Sequence, residues 1–457
     1  MPWYLVPTIF ALAWPTMLEQ LMQTAVQYID VAMVGSLGTE ATAAVGSTTT
    51  VNWLIGSTVS ALGVGFLAFV SRASGAGETQ TIRRVSSQAV LVVLVCGALF
   101  TALTLGLSPY VPTWMQVEEE LRPLASKYFF ILYTPMLFRC ATIIFGTLFR
   151  AVGDTKTPML AGIAVNAVNV VMNFFLIYPT REVECFSLKI RIFGAGLGVV
   201  GAAIASAISF AVGGICLAVA FWKHPILSPK GCSLRPDREI LSRCLRVAAP
   251  NALQGFGTSL GYVAFAAMIN SLGGVATAAH TIANTVESAF YIPGYGMKTA
   301  AATLAGNAYG ARDERRLRDL SRMILLIEVA LMILSGGLLF CFAPHMMSLF
   351  SKDENAIRLG TTVLRMVALS EPFYGVSIII EGIMQGLGKT GMPFVTNVIG
   401  MWGIRIVGTF LCIYGLSMGL VSAWACMILH NLMLFIVFSV YFSRGTWNPM
   451  RTKKKAI

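Results

Sequence analysis

The residues able to do chemistry in this chain are few, and most stand in apolar surroundings. Asp30 has no Lys or Arg within a dozen positions on either side. A carboxylate held away from water can exchange a proton or lend its charge to a bound cation. The alternative is an aspartate near a helix end whose carboxylate snorkels to the surface. Asn166, Asn169 and Asn173 follow at spacings of three and four, which places them on one helical face. Amide oxygens are hard ligands for a small cation such as Na+. They serve equally well as hydrogen-bonding glue between helices in lipid.

A second set lies further along. Glu287, Tyr291 and Tyr295 stand at i, i+4 and i+8, and His280 precedes them on the same predicted helix. An acid beside aromatic rings suits an organic cation, through charge and cation–π contact. The competing reading is a packed aromatic stripe with Glu287 bonded to a neighbour. Lys298, about one turn beyond Tyr295, is placed to pair with an acid. Glu371 and Glu381 share a third apolar segment. Glu371 is a further candidate for a substrate cavity, and either acid could be neutralised by Arg405. Glu19 and Glu328 fit a functional or a structural role.

The elements that must position these residues are set by composition. The chain has 457 residues, of which 56% are hydrophobic and 12% charged, and its mean hydropathy is +0.73. A soluble domain carries about 25% charged residues, so the solvent here must be largely lipid. Residues 41–71, 85–117, 157–180, 192–222, 247–286 and 406–443 contain no Asp, Glu, Lys or Arg. Each is long enough to cross a bilayer, and the last is long enough for two crossings broken at Tyr414-Gly415. The predicted spans are 5–35, 47–71, 86–110, 126–150, 157–179, 195–222, 243–272, 279–305, 320–343, 358–386, 393–414 and 417–442. The N-terminal stretch has no basic n-region and reads as the first span rather than a signal peptide.

The charges orient the spans. With the N-terminus inside, the inner segments hold 22 Lys and Arg and the outer ones seven. The positive-inside rule then places both termini in the cytoplasm, in an integral protein of the cytoplasmic (inner) membrane. The net charge of +12 is read as topology and contact with anionic lipids rather than nucleic-acid binding. The nine cysteines contain no CxxC spacing and read as small apolar residues.

The chain also matches itself at an offset of 235 residues. Pro15 aligns with Pro250, Ser36-Leu37-Gly38 with Ser271-Leu272-Gly273, and Ala43-Ala44 with Ala278-Ala279. Gly75-Ala76 aligns with Gly310-Ala311, Gly153 with Gly388, Thr155 with Thr390, and Pro158 with Pro393. After that the first half carries an additional polar stretch, 180–193. Each repeat holds an even number of spans, so the halves share one orientation about an axis along the membrane normal. The expected organisation is an all-α membrane fold: a six-helix bundle over 1–222, a link over 223–242, a second bundle over 243–443 and a basic tail over 444–457.

Several stretches resemble the multidrug and toxic compound extrusion (MATE) family: Asp30-Val-Ala-Met-Val-Gly-Ser-Leu-Gly with Ala43-Ala44-Val45-Gly46, the Gly-Ala loops at 75–76 and 310–311, Arg150-Ala-Val-Gly-Asp-Thr-Lys-Thr-Pro158 and Gln385-Gly-Leu-Gly-Lys-Thr-Gly-Met-Pro393. The resemblance implies twelve helices in two bundles and export of organic, often cationic, compounds in exchange for Na+ or H+. It makes Asp30 the coupling-ion residue, with Asn169 and Asn173 on the face that carries an Asn and an Asp in DinF-like members. Asn173 is thus a departure that removes one possible negative charge. Ser206 stands where those members often have Thr. Glu287 resembles an acidic position of the eighth span. No acid occurs in 247–286, unlike NorM-like members, which places the chain nearer the DinF-like ones.

Other classes fit less well. His224, His280, His345 and His430 are scattered, no HExxH or P-loop occurs, and no enzymatic activity or cofactor is expected. A flippase for lipid-linked precursors would need a basic cleft, for which only Arg139, Lys298 and Arg405 are available. The expected partners are small organic substrates and membrane lipids, with no obligate protein partner.

Overall fold

The computed structural model describes residues 3–115, 117–185 and 188–454. Six spans form the first half: Val6–Gly35, Thr39–Gly75, Thr79–Leu107, the pair Arg122–Tyr133 and Met136–Ala151, Lys156–Leu176, and Gly198–Lys223. Spans seven to twelve follow: Arg238–Asn270, the pair Gly274–Phe290 and Ile292–Gly310, Glu314–Phe350, Glu354–Gly386, Gly391–Gly415, and Leu420–Ser443. Among the described residues, ten helices are long and apolar enough to cross a membrane by themselves, and the fourth span makes an eleventh. The eighth, divided at Tyr291, completes two bundles of six. Leu94, Leu99, Leu103, Ile333 and Leu334 are exposed on the outside of the bundles, a surface suited to lipid and not to water.

Three spans are not the regular α-helices that hydropathy implies. The fourth bends by 48° between Tyr133 and Met136, where Pro135 cannot donate a backbone hydrogen bond. The eighth breaks at Tyr291, just before Pro293. The eleventh span winds as a π-helix over Gly400–Ile406 and again over Leu411–Gly415. The additional stretch of the first half forms an antiparallel hairpin, Pro179–Cys185 with Leu188–Ala195.

The internal repeat appears in backbone conformation. Gly38 and Gly273 have φ of 115° and 100°, and Gly153 and Gly388 have φ of 89° and 72°. Gly77 has its counterpart in Arg312, and both adopt positive φ. Glycine removes the steric cost of those turns at five of the six positions. The halves meet where spans two and eight cross. A Cβ on Gly75 would overlap the Asn307 carbonyl, and one on Gly310 would overlap the Arg72 carbonyl. These are equivalent contacts in the two repeats, as an isologous crossing on a two-fold axis requires. Arg72 also lies 4.3 Å over the Tyr309 ring.

Both ends of the chain pack at one face: Leu5 and Ile9 share a core cluster with Leu317 and Trp447. Residues 455–457 of the expected tail lie outside the described residues. Of the expected link 223–242, Lys223 ends span six, and Arg238 already begins span seven. The link is fastened to span three. Arg84 pairs with Asp237 at 2.8 Å, Gln88 donates to Arg235 O and accepts from Asp237 N–H, and Ser87 donates to Ser233 O. Asp237 caps span seven. The Ile240 amide, with Arg84 and the Glu239 amide, holds its carboxyl below the usual carboxylate range.

Candidate functional site

The first candidate set comes together inside the N-terminal bundle. Asp30, from span one, accepts from the Asn173 amide at 2.5 Å. With its nitrogen turned toward Asp30, Asn169 donates to Oδ1 at 2.7 Å and to Oδ2 at 3.2 Å. Its oxygen then accepts from Ser206 Oγ of span six at 3.2 Å. Spans one, five and six are thereby tied through one carboxylate. Asn169 and Asn173 are buried, at 6% and 1% exposure, and Asn173 Oδ1 is a buried acceptor with no donor. Two carboxylate oxygens, an unused amide oxygen and a hydroxyl are a hard, all-oxygen donor set that fits Na+; the same carboxylate can hold a proton. Asn166 is not brought into this group: it stands one turn short of Asn169 and makes no hydrogen bond to the other members among the described residues.

The second set is only partly assembled. Tyr291 donates to Glu287 Oε1 at 2.5 Å, and its ring packs 4.9 Å from that of Tyr374. Glu287 is 4% exposed, while Tyr295 is 44% exposed and hydrogen-bonds Tyr374. The break at Tyr291 means that the three do not sit on one continuous helical stripe. His280 is elsewhere: it accepts from Trp424 Nε1 at 3.2 Å and lies edge-on between Phe265 and Trp424. This is an aromatic packing role joining spans seven, eight and twelve. Glu371 is fully buried, and both its oxygens lack a donor.

The sequence left Glu328 open between a functional and a structural role. Glu328, of span nine, is also fully buried with both oxygens unpartnered. Glycines at 294 and 375 make room for its carboxylate. The pairing of Arg405 with Glu371 or Glu381 does not form. Arg405 is 3% exposed and lies over the Tyr262 and Phe265 rings at 4.7 and 4.1 Å. Glu381 instead pairs with Lys298 at 2.8 Å and accepts from Gln254 and Gln385, while Gln385 also donates to Asn251. The signal was present: Asn251 and Gln254 are one turn apart in span seven, and Glu381 and Gln385 are one turn apart in span ten. Glu19 pairs with Arg150 through both its oxygens, at 2.8 and 2.7 Å.

Two repeated bundles with carboxylates and amides turned inward define an integral membrane transporter. A family model, MatE, matches residues 15–175 and again 250–411, two segments that begin 235 residues apart. The chain belongs to the MatE family, the multidrug and toxic compound extrusion transporters. It is 26% identical over 438 residues to a probable multidrug resistance protein NorM of Thermotoga maritima, covering 95% of this chain and 92% of that protein. It is also 26% identical to the probable multidrug resistance protein YoeA of Bacillus subtilis, over 90% of this chain and 87% of that one. Among solved structures it superposes on an outward-facing multidrug resistance MATE transporter with a TM-score of 0.89 at 22% identity, covering 97% and 96% of the two chains. A MOP superfamily transporter from Pyrococcus furiosus gives a TM-score of 0.87 at 23% identity, over 97% and 96%.

Proposed function

We propose that this transporter is an antiporter that exports organic compounds in exchange for Na+ or H+, with Asp30 as the coupling residue. The observation that carries the reading is the convergence of Asp30, Asn169, Asn173 and Ser206 from three spans on one buried point. An ion bound there replaces amide donors on Asp30, so binding bears on how spans one, five and six pack. Ion and substrate, each favouring a different packing, would be coupled without touching one another. Glu287, Tyr291 and Glu371 supply charge and aromatic surface for a cationic cargo in the other half. The 22 inner and seven outer basic residues support cytoplasmic termini and an inner-membrane location. The acid-free 247–286 segment, where Asn251 and Gln254 stand, supports a place nearer the DinF-like members.

The multidrug names of the relatives favour drug export over lipid-linked flipping. So does the engagement of Lys298 and Arg405, which leaves Arg139 alone where a pyrophosphate needs several basic groups. The test is ethidium efflux from cells lacking their own pumps, with and without Na+. Wild type should export the dye and Asp30→Asn should not, and the Na+ dependence identifies the ion. Equal efflux by the variant would remove Asp30 from the mechanism.

A further inference from the structure

Four basic residues stand deep within the spans, away from the turns that join them: Arg139, Lys298, Arg365 and Arg405. Lys298 is paired with Glu381. Arg405 is sealed against two rings. Arg365 is exposed, lies over the Phe340 ring and donates to the Phe340 carbonyl. Arg139 differs from all three. It stands near the middle of span four, and no carboxylate pairs with it among the described residues. Its Nη1 donates to Asn52 Oδ1 of span two, which also accepts from Tyr133 OH at 3.0 Å. The rings of Phe210 and Tyr133 flank the guanidinium at 5.0 and 5.9 Å.

This arrangement orients the guanidinium without satisfying it. The Asn52 oxygen and the Tyr133 hydroxyl together leave most of the five N–H donors unused. Two ring faces offset part of the cost of a mid-membrane charge and supply no acceptor. The side chain is half-buried rather than sealed. Gly56, one turn from Asn52, leaves open the space beside Nη2, where a Cβ would come within 3.6 Å. The adjacent residue, Ser57, lies where a Cβ on Gly255 of span seven would come within 3.6 Å of it, and Trp53 meets Tyr262 edge-on at 6.0 Å. Arg139 thus stands against span two, the same span that packs on span seven at the seam between the two halves. A rigid planar fork with free donors matches the two oxygens of a carboxylate or sulfonate, and the flanking rings match an aromatic body.

We propose that Arg139, held by Asn52 and flanked by Tyr133 and Phe210, is a subsite for the acidic group of an aromatic substrate. The favoured cargo then carries an acid as well as a basic or apolar body, rather than positive charge alone. The inference rests on reading the seam between the halves as the export path.

The test uses the purified full-length protein and two dyes with one tricyclic core: rhodamine 110, a free acid, and rhodamine 123, its methyl ester. Binding is read by fluorescence polarisation. Wild type should bind the acid more tightly than the ester. Arg139→Gln should weaken the acid at least tenfold and leave the ester within twofold. Gly56→Leu, which fills the space without removing charge, should weaken the acid selectively as well. Retained ester binding reports that each variant is folded. The proposal is overturned if wild type does not prefer the acid, or if Arg139→Gln affects both dyes alike or neither. Uptake of the same dyes into vesicles separates the two readings. Selective binding without ion-driven movement would refute export and leave the anion subsite standing; ion-driven movement without selectivity would do the reverse.

Discussion

Asp30 is held by two amide donors, while the oxygen of one of them, Asn173, has no donor of its own. An ion that replaces those donors would take the free Asn173 oxygen as a ligand, a contact on the scale of a hydrogen bond to a charged group, about 1.5–3 kcal/mol. Asn173→Ala should therefore raise the half-saturating concentration of the coupling ion by roughly tenfold or more. It should do so without abolishing export, because Asp30 remains. An ion titration of dye transport in vesicles measures this, and an unchanged midpoint would exclude Asn173 from the ion site. Asp30, Asn169 and Asn173 were legible in the sequence because isolation in an apolar run and a spacing of four are both local signals. Ser206 was reachable only through family resemblance, since nothing in its own segment distinguishes it. Asn166 shares their helical face but stops one turn short, a distinction that spacing alone does not make. His280 and Arg405 found aromatic partners from other spans, and those contacts depend on packing that no local pattern encodes.

At the level of elements, six charge-free stretches mark only part of the twelve spans, since spans one, four, eight, nine and ten each carry charged residues. The bends at Pro135 and Pro293 had visible causes. The π-helical turns of span eleven did not: Gly400 packs directly against His430, and a close contact between two spans is invisible in either one. The hairpin was readable only as a polar insertion, although its residues alternate. Spans seven, eight and ten are joined by Lys298–Glu381 with Gln254, Gln385 and Asn251. Removing one partner of a buried pair strands the other charge. For this partly accessible pair, Glu381→Ala should cost about 2–3 kcal/mol, discounted from the ~3–5 of full burial. Lys298→Met with Glu381→Met together should be nearly neutral. Thermal unfolding in detergent separates these outcomes. A double variant as unstable as Glu381→Ala would show that the wider amide network, and not charge pairing, joins the spans.

Across the whole molecule, the two halves touch backbone to backbone at the crossing of spans two and eight, where Gly75 and Gly310 admit the opposing carbonyls. Alternating access requires this contact to open and close. Gly75→Leu cannot reclose without displacing Asn307, so the variant should favour separation of the ends that carry the termini. Maleimide labelling of a cysteine at Ser71 should then rise several-fold over the same cysteine with Gly75 intact. Unaltered labelling would mean that the crossing is not part of the moving seal.

The central claim is that ion binding at Asp30 drives export. Its most direct test is dye accumulation by purified protein in vesicles, under an imposed Na+ or H+ gradient and under none. The account predicts that wild type concentrates dye only when one of those gradients is present, and that Asp30→Asn does no more than equilibrate it. Concentration of dye by Asp30→Asn at the wild-type level would contradict the account.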